Sequence, residues 1–297
     1  MVPISVCIPT KDRPEELKKC IDSVLAQTTL PREIVIIDDG QLDVAPLREV
    51  IELKTGFKYF KKDKPSLSAS RNLAKEIARS ELILFLDDDV VLEPDYIQNI
   101  YKVFEEDVNR EIGAVGGIEI NSKRESPLAM FYKRLFFLHC GKPGVIMPWG
   151  FQTGAHGIDT ITQVMWLTGA ISCFRKELLI QFPFEEFHGG RNALEDIEFA
   201  WRVWNKYKGQ KYKFLVNPHA RAYHYHSPVS REKSYVTGYK QAYNRLWIFN
   251  KHGEKTFQNI TLFCWAMTGQ ILKMAATGRI EMAIGSVRGI ISFLTGK

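Results

Sequence analysis

The stretch Leu82-Ile83-Leu84-Phe85-Leu86-Asp87-Asp88-Asp89 decides the fold. Five apolar residues followed directly by three carboxylates are typical of a buried parallel strand that ends at a ligand. Two earlier runs share the pattern: residues 4–8 lead into Pro9-Thr10-Lys11-Asp12-Arg13, and residues 34–37 lead into Asp38-Asp39-Gly40. In open α/β sheets, ligands bind beyond the carboxyl ends of the strands. We therefore predict that the three strand ends share one pocket.

Helical patterns alternate with these strands. Apolar residues at helical spacing predict one helix over Pro14–Leu25 and another over residues 70–79. This alternation indicates an α/β fold with a mostly parallel sheet and flanking helices. Further along, we predict a helix at residues 193–206 and a strand at residues 214–216.

The chain is long enough for one large domain or for a catalytic domain with an appendage. We expect a catalytic domain over residues 1–230, with a nucleotide-binding half at 1–115 and an acceptor half at 116–230. Residues 231–297 would form a helical extension.

The composition is that of a globular protein, with 45% hydrophobic and 25% charged residues among 297. A net charge of +6 without a dense basic stripe argues against a nucleic-acid partner and suits an anionic small molecule or lipid surface. The five cysteines are scattered, which argues against a disulfide framework or zinc site. The unclustered cysteines favour a reducing compartment. We expect a cytoplasmic location, because the chain opens on a strand-like run, residues 4–8, rather than on a signal peptide.

The aspartate triplet suggests a metal site. On an extended strand, Asp87 and Asp89 would point one way and Asp88 the other. Two neighbouring carboxylates repel by ~1 kcal/mol in water and by ~4 kcal/mol near a protein surface, and a divalent cation removes that penalty. Oxygen ligands favour Mg²⁺ or Mn²⁺ shared with substrate phosphates. An acidic turn in solvent is the alternative explanation for the triplet alone.

Four ordered segments together resemble the motifs of glycosyltransferase family 2. They are Val6-Cys7-Ile8-Pro9-Thr10, Ile36-Ile37-Asp38-Asp39-Gly40, Ser70-Arg71-Asn72 and Phe85-Leu86-Asp87-Asp88-Asp89. The resemblance covers roughly residues 4–230. It implies a GT-A fold, a nucleotide-sugar donor (UDP-, dTDP- or GDP-linked) and inversion at the anomeric carbon.

The resemblance also implies where the nucleotide binds. Pro9, Thr10 and Arg13 would line it, Asp38 would hydrogen-bond the base, and Arg71 would lie against the base or the diphosphate.

The same resemblance implies different roles for the three aspartates. Asp87 would contact the ribose, and Asp89 would hold the metal between the two phosphates. Asp88 remains a nucleotide-binding candidate on the other face of the strand. The family usually has Ser after its Asp-Asp-Gly motif, and Gln41 stands here instead.

A second acidic motif, Leu194-Glu195-Asp196-Ile197-Glu198, resembles the family's Glu-Asp motif at the start of a helix. An inverting transfer needs a carboxylate that takes the proton of the acceptor hydroxyl. Asp196 is the candidate catalytic base, with Glu195 positioning it or binding the acceptor. Acidic residues also favour helix N-termini for structural reasons alone.

Three histidines, His219, His224 and His226, lie within eight positions. A His-x-His pair on a strand places both rings on one face, where they are able to bind a metal. Family members often supply a histidine here, and His224 fits that position best, followed by His226. The other histidines are assigned structural roles: His139, His156, His188 and His252.

The C-terminal region from Thr256 has apolar residues at helical spacing, interrupted by Lys273, Arg279 and Arg288. No stretch reaches the ~20 uncharged apolar residues of a spanning helix. Two interpretations remain open: helices that lie on a membrane surface, or helices that pack on the catalytic domain or on a homodimer partner.

These observations predict a metal-dependent glycosyltransferase acting on a glycan or lipid-linked acceptor, in surface polysaccharide or glycolipid synthesis. Contact with the cytoplasmic membrane face depends on the C-terminal helices. A nucleotidyltransferase would usually show a glycine-rich loop after the first strand, and residues 9–14 lack one. A non-catalytic nucleotide- or glycan-binding scaffold is the third alternative.

Overall fold

The computed structural model describes residues 1–122, 125–187, 193–229 and 232–296. Two elements of the sequence prediction, His188 and the domain boundary at 230/231, lie outside the described residues. Nine strands are present in the described part: β1 Val2–Thr10, β2 Pro31–Asp38, β3 Gly56–Lys61, β4 Leu82–Leu86, β5 Val90–Leu92, β6 Ile112–Glu119, β7 Thr162–Val164, β8 Ile171–Arg175 and β9 Lys213–His224.

The same residues form ten helices. They are α1 Pro14–Leu25, α2 Ala45–Glu52, α3 Leu67–Ile77, α4 Tyr96–Glu105, α5 Pro127–Leu135, α6 Lys176–Gln181, α7 Glu195–Tyr207, α8 Ser234–His252, α9 Phe257–Ala276 and α10 Ile280–Thr295.

The strands form one sheet in the order β3-β2-β1-β4-β8-β6-β9-β5, with β7 paired to β9. Strands β1 to β4 pair in parallel, and β8 enters antiparallel between β4 and β6. The α/β fold with a mostly parallel sheet, flanking helices and a C-terminal helical part is confirmed. The parallel half brings the ends of β1, β2 and β4 to one edge.

Both faces of this half of the sheet are buried, which explains its near-continuous apolar runs. In β4, Leu82, Leu84 and Leu86 pack into one core with α1 and α4. Ile83 and Phe85 pack into the other core, with α3, α6 and α7. Alternate side chains of a strand point to opposite faces, so each face needs its own apolar set.

The predicted helix over Pro14–Leu25 is confirmed residue for residue as α1. Helix α3 begins at Leu67, three residues before the predicted start, because Ser66 caps it: the Ser66 hydroxyl accepts a hydrogen bond from the Ala69 amide. The predicted helix at 193–206 is observed as α7, and the predicted strand at 214–216 lies within β9.

The C-terminal helices pack against each other and against the sheet domain. Helix α8 contacts α10 closely, because Gly238, Gly285 and Gly289 allow the two backbones to approach. Helix α8 is joined to α7 by His252, whose Nε2 lies 2.8 Å from Glu198 Oε1. Among the described residues, no helix is both long enough and apolar enough to cross a bilayer.

Candidate active site

A cavity of about 510 Å³ lies where the three strand ends meet. The structure brings eight of the predicted site residues to its wall: Pro9, Thr10, Arg13, Asp87, Asp88, Asp89, His224 and His226. The remaining wall is formed by Lys11, Asp39, Ala193 and Glu232, by residues 65–67 at the start of α3, and by residues of α8 and α10.

The aspartate triplet forms a turn. Strand β4 ends at Leu86, and the Val90 amide donates a hydrogen bond to the Asp87 carbonyl at 3.2 Å. Strand alternation stops before the triplet, but the predicted division is observed: Asp87 and Asp89 converge on His224, and Asp88 turns to Thr10 and Arg13. All three residues line the cavity.

Asp88 is held by residues of the first strand end. Its two oxygens accept hydrogen bonds from Thr10 Oγ1 at 2.8 Å and from the Arg13 guanidinium at 2.9 Å. Burial raises the pKa of Asp88 to about 6, although the Arg13 charge and these hydrogen bonds act in the opposite direction. Arg13 also lies 3.7 Å from Asp89 and donates to the Val229 carbonyl. Thr10 and Arg13 therefore hold Asp88 at the cavity wall, and Arg13 also contacts Asp89.

Asp89 faces His224, and their contact joins the end of β4 to the end of β9. His224 Nε2 lies 3.1 Å from Asp89 Oδ1, and His224 Nδ1 lies 3.1 Å from Glu119 Oε1. Burial opposes ionisation of both partners, but their hydrogen bond lowers the pKa of Asp89 to about 2. For His224, burial lowers the pKa, and the bonds to Asp89 and Glu119 outweigh it and raise the pKa to about 10.

Two groups in the described residues have the geometry of a cation site. Ligand atoms of Asp87, Asp89 and His224 lie within 4.8 Å of one another, and so do those of Glu119, His224 and His226. The His224 and His226 rings are 3.8 Å apart, as expected of a His-x-His pair on one face. Two carboxylates with one imidazole form a donor set that suits Mn²⁺ or Mg²⁺.

His219 does not join either group. It is exposed in the middle of β9, and its carbonyl accepts a hydrogen bond from Asn99.

Asp38 lies behind the cavity wall. It is fully buried, and its oxygens accept hydrogen bonds from the amides of Gly40 and Leu42 and from the Tyr59 hydroxyl. Its neighbour Asp39 lines the cavity instead. The Asp38 carboxylate thus shapes the turn after β2, and the residue exposed to a ligand is the next one along.

Arg71 is buried and pairs with the second acidic motif. Its Nη1 donates to Glu195 Oε1 at 2.7 Å, and its Nη2 lies 4.0 Å from Asp87. The guanidinium rests over the rings of Phe85 and Phe184 at 5.8 and 5.4 Å. Arg71 therefore connects the start of α7 to the triplet.

Asp196 follows Glu195 in the first turn of α7, after Leu194 in a left-handed backbone conformation with φ 71°. Its Oδ1 accepts a hydrogen bond from the Ile197 amide at 2.8 Å. Burial and the Glu195 charge raise the pKa of Asp196 to about 7, against the opposing charge of Arg71. A carboxyl with this pKa is able to take or give a proton near neutral pH.

Several wall residues were missed by sequence reasoning. They are Lys11, Asp39, Pro65, Ser66, Leu67, Ala193, Glu232, Ser234, Thr237, Lys240 and Met282. Asp39 and Lys11 stand inside motifs that the sequence analysis had singled out. The residues of α8 and α10 carry no motif, and only the packing of these helices brings them to the cavity. Glu119 likewise contacts His224, although the two residues are 105 positions apart in the sequence.

The family model described as "Glycosyl transferase family 2" matches residues 5–156, which is about half of the chain. The chain belongs to this family. A curated family relative is the poly(ribitol-phosphate) beta-N-acetylglucosaminyltransferase TarP of Staphylococcus aureus, 33% identical over 138 residues. That alignment covers 45% of this chain and 42% of TarP. The chain spans less than half the length of the first curated relatives that it matches.

Solved structures show the same GT-A fold for this family 2 chain. TarS residues 1–349 of Staphylococcus aureus with UDP-GlcNAc superposes with a TM-score of 0.63 at 14% identity, over 98% of this chain and 80% of that one. The mannosyltransferase PcManGT of Pyrobaculum calidifontis with GDP-Man and Mn²⁺ gives 0.60 at 15% identity, over 99% and 88%.

Proposed function

We propose that this family 2 chain is an inverting, metal-dependent glycosyltransferase. It moves a sugar from a nucleoside diphosphate to an acceptor hydroxyl in the synthesis of a surface polysaccharide or glycolipid. The observation that carries the proposal is the meeting of Asp87, Asp89 and His224 within 4.8 Å at a cavity of about 510 Å³. That volume suits a nucleotide sugar.

The nucleotide lies along the ends of β1 and β2. Pro9, Thr10 and Asp39 present polar and backbone groups to the cavity, and Arg13 supplies positive charge beside Asp88. Asp38 acts through the turn that it holds rather than by direct contact with the base. A UDP-, dTDP- or GDP-linked donor is consistent with this wall, and the TarS and PcManGT structures contain UDP-GlcNAc and GDP-Man.

Asp87, Asp89 and His224 would hold a divalent cation, Mn²⁺ or Mg²⁺, which would take the place of the proton on His224 Nε2. When bound, such an ion neutralises charge on the diphosphate leaving group as a Lewis acid. The chain's own part is to fix the ligands: the Ser227 amide donates to Asp89 Oδ2 at 2.8 Å, and Glu119 orients His224 through Nδ1.

Asp196 is the general base. Its carboxylate accepts the proton of the acceptor hydroxyl while that oxygen bonds to the anomeric carbon and the diphosphate departs from the opposite side. The charge of Glu195 raises the pKa of Asp196, and Arg71 holds Glu195 in place through an ion pair of 2.7 Å. Lys240 and Met282 from the C-terminal helices complete the acceptor side of the wall. We therefore treat residues 231–297 as an extension that contributes to the catalytic domain.

A thermal-shift screen tests the donor site, because a ligand that binds the native state raises its melting temperature. UDP, dTDP and GDP are added with and without Mn²⁺ to the wild type, to Asp196→Asn and to Asp89→Asn. We expect one nucleotide to stabilise the wild type and Asp196→Asn only with Mn²⁺, and Asp89→Asn to lose that effect. Stabilisation lost in Asp196→Asn would reassign Asp196 to the donor site. Equal stabilisation without metal would contradict the cation site.

A further inference from the structure

The outward faces of α9 and α10 are apolar. The exposed positions of α10 recur at helical spacing and include Ile280, Ile284, Val287 and Ile291, each between 44% and 56% exposed. On α9, Phe257 and Leu272 are 88% and 50% exposed. Helices that are apolar on their inner and outer faces are normally covered on both. In these two helices the inner face meets the protein and the outer face meets solvent.

Helix α5 extends this surface. Its exposed residues Leu128, Phe131 and Leu135 stand on one side of the helix. The helix is fixed to α9 because the Phe136 and Trp265 rings stack at 4.9 Å. A groove of about 480 Å³ between α9 and α10 continues the surface. We call the outward sides of α5, α9 and α10 the apolar face.

The charges around the apolar face are almost all positive. Residues 127–140 and 257–296 contain five Lys or Arg side chains and one acidic side chain, Glu281. The basic ones are Lys133, Arg134, Lys273, Arg279 and Arg288. Lys133 has a partner just outside these ranges, Glu125. Two copies of the chain that met face to face across a two-fold axis would oppose like charges. An anionic lipid surface complements both the apolar residues and the basic ones.

The apolar face lies on the other side of α10 from the cavity. Met282 of α10 lines the cavity, whereas Ile280 and Ile284 on the same helix are exposed. The separation is therefore about one helix diameter, roughly 10–12 Å. A group that projects from a bilayer under α10 would have to extend by about this distance to reach the cavity wall.

We propose that the apolar face docks on an anionic lipid bilayer and that the acceptor is lipid-linked and presented from that surface. This inference rests on the glycosyltransferase function proposed above. The helices lie in the interface, with the apolar side chains in the acyl region and the basic side chains at the phosphates.

Vesicle co-sedimentation of the full chain tests the docking. Vesicles of phosphatidylcholine with phosphatidylglycerol are compared with vesicles of phosphatidylcholine alone, at several salt concentrations. The double variant Leu272→Asp/Ile284→Asp places two negative charges on the apolar face. Leu53→Asp/Val108→Asp is the matched control, because Leu53 and Val108 are 85% and 88% exposed elsewhere on the chain.

We expect the wild type and the control to bind the anionic vesicles, and the face variant to bind more than ~10-fold more weakly. Absence of binding to anionic vesicles, or equal binding by the two double variants, would overturn the docking. So would light scattering that shows a wild-type dimer converted to monomer by Leu272→Asp/Ile284→Asp, because the face would then be a subunit interface.

Nucleotide binding separates the two proposals. Both double variants leave the cavity intact, so Mn²⁺-dependent nucleotide binding should match the wild type in each. A wild type that binds nucleotide but not vesicles would contradict only the membrane proposal. Vesicle binding by a wild type that binds no nucleotide would remove the glycosyltransferase function and, with it, the acceptor assignment.

Discussion

Arg71 donates a 2.7 Å hydrogen bond to Glu195, a residue 124 positions further along the chain. Their side chains are 3% and 8% exposed. Arg71 belongs to α3, beside the nucleotide half of the site, and Glu195 begins α7, which carries the candidate base. This pair therefore sets the position of the base relative to the aspartate triplet.

Removal of Arg71 should destabilise the fold. Arg71→Met leaves Glu195 buried without its partner, and the loss of one member of a buried ion pair costs about 3–5 kcal/mol. The free energy of unfolding from urea titrations measures this loss. Lys18→Met breaks an exposed pair with Asp22 and should leave the free energy of unfolding unchanged. Arg71→Met/Glu195→Leu should recover part of the loss, and a double variant as unstable as Arg71→Met would contradict this account.

The pH profile of transfer should report the pKa of Asp196. The active form of the base is the carboxylate, and burial with the Glu195 charge raises the pKa to about 7. The turnover number should therefore rise with pH below about 7 and level off above it. Glu195→Gln removes a charge that raises the pKa, so the inflection should move to lower pH. An inflection that stays in place in Glu195→Gln would argue that another group titrates.

Asp89→Asn should remove a metal ligand without loss of the fold. The amide oxygen of asparagine still accepts the hydrogen bond of the Ser227 amide, which holds Asp89 at 2.8 Å. We expect Mn²⁺-dependent nucleotide affinity, measured by calorimetry, to fall by more than about tenfold. Asp22→Asn, an isosteric change at an exposed aspartate of α1, is the control and should bind as the wild type does. Full affinity in Asp89→Asn would indicate that the cation binds to the other group, Glu119, His224 and His226.

Gly285→Ala should destabilise the C-terminal helices, although alanine is favoured over glycine in a helix by about 1 kcal/mol. A Cβ on Gly285 would overlap the carbonyl oxygen of Tyr235, so α10 must move away from α8. Overpacking of this kind costs about 1–3 kcal/mol, which exceeds the gain in propensity. Thr261→Ala, at an exposed position of α9, should be neutral or slightly stabilising. A melting temperature for Gly285→Ala above that of wild type would contradict the close packing.

The strands and α1 were predictable because the relevant signal is local. Continuous apolar runs such as Leu82–Leu86 indicate a strand that is buried on both faces. Pro14 is the first residue of α1, where the helical spacing of apolar residues begins. The turn at the triplet was not predictable in detail, because the apolar run does not show that the strand ends at Leu86. The roles of Arg71 and Glu119 depend on partners more than a hundred residues away, and no local pattern encodes such contacts.

The C-terminal helices show the same limit. Their amphipathic spacing is readable in the sequence, but the placement of Lys240 and Met282 at the cavity follows from the packing of α8 and α10. The sequence likewise left the use of the outer faces open. The exposure of residues such as Ile284 and Leu272 was known only once the helices were packed.

The most direct test of the central claim is the release of nucleoside diphosphate from a panel of UDP-, dTDP- and GDP-sugars, with Mn²⁺ and with a chelator. We expect one donor to release its diphosphate only with the metal, and the sugar product to carry the inverted anomeric configuration by NMR. Asp196→Asn should remove the release while keeping nucleotide binding. No release from any donor, or retention of configuration, would contradict an inverting metal-dependent glycosyltransferase.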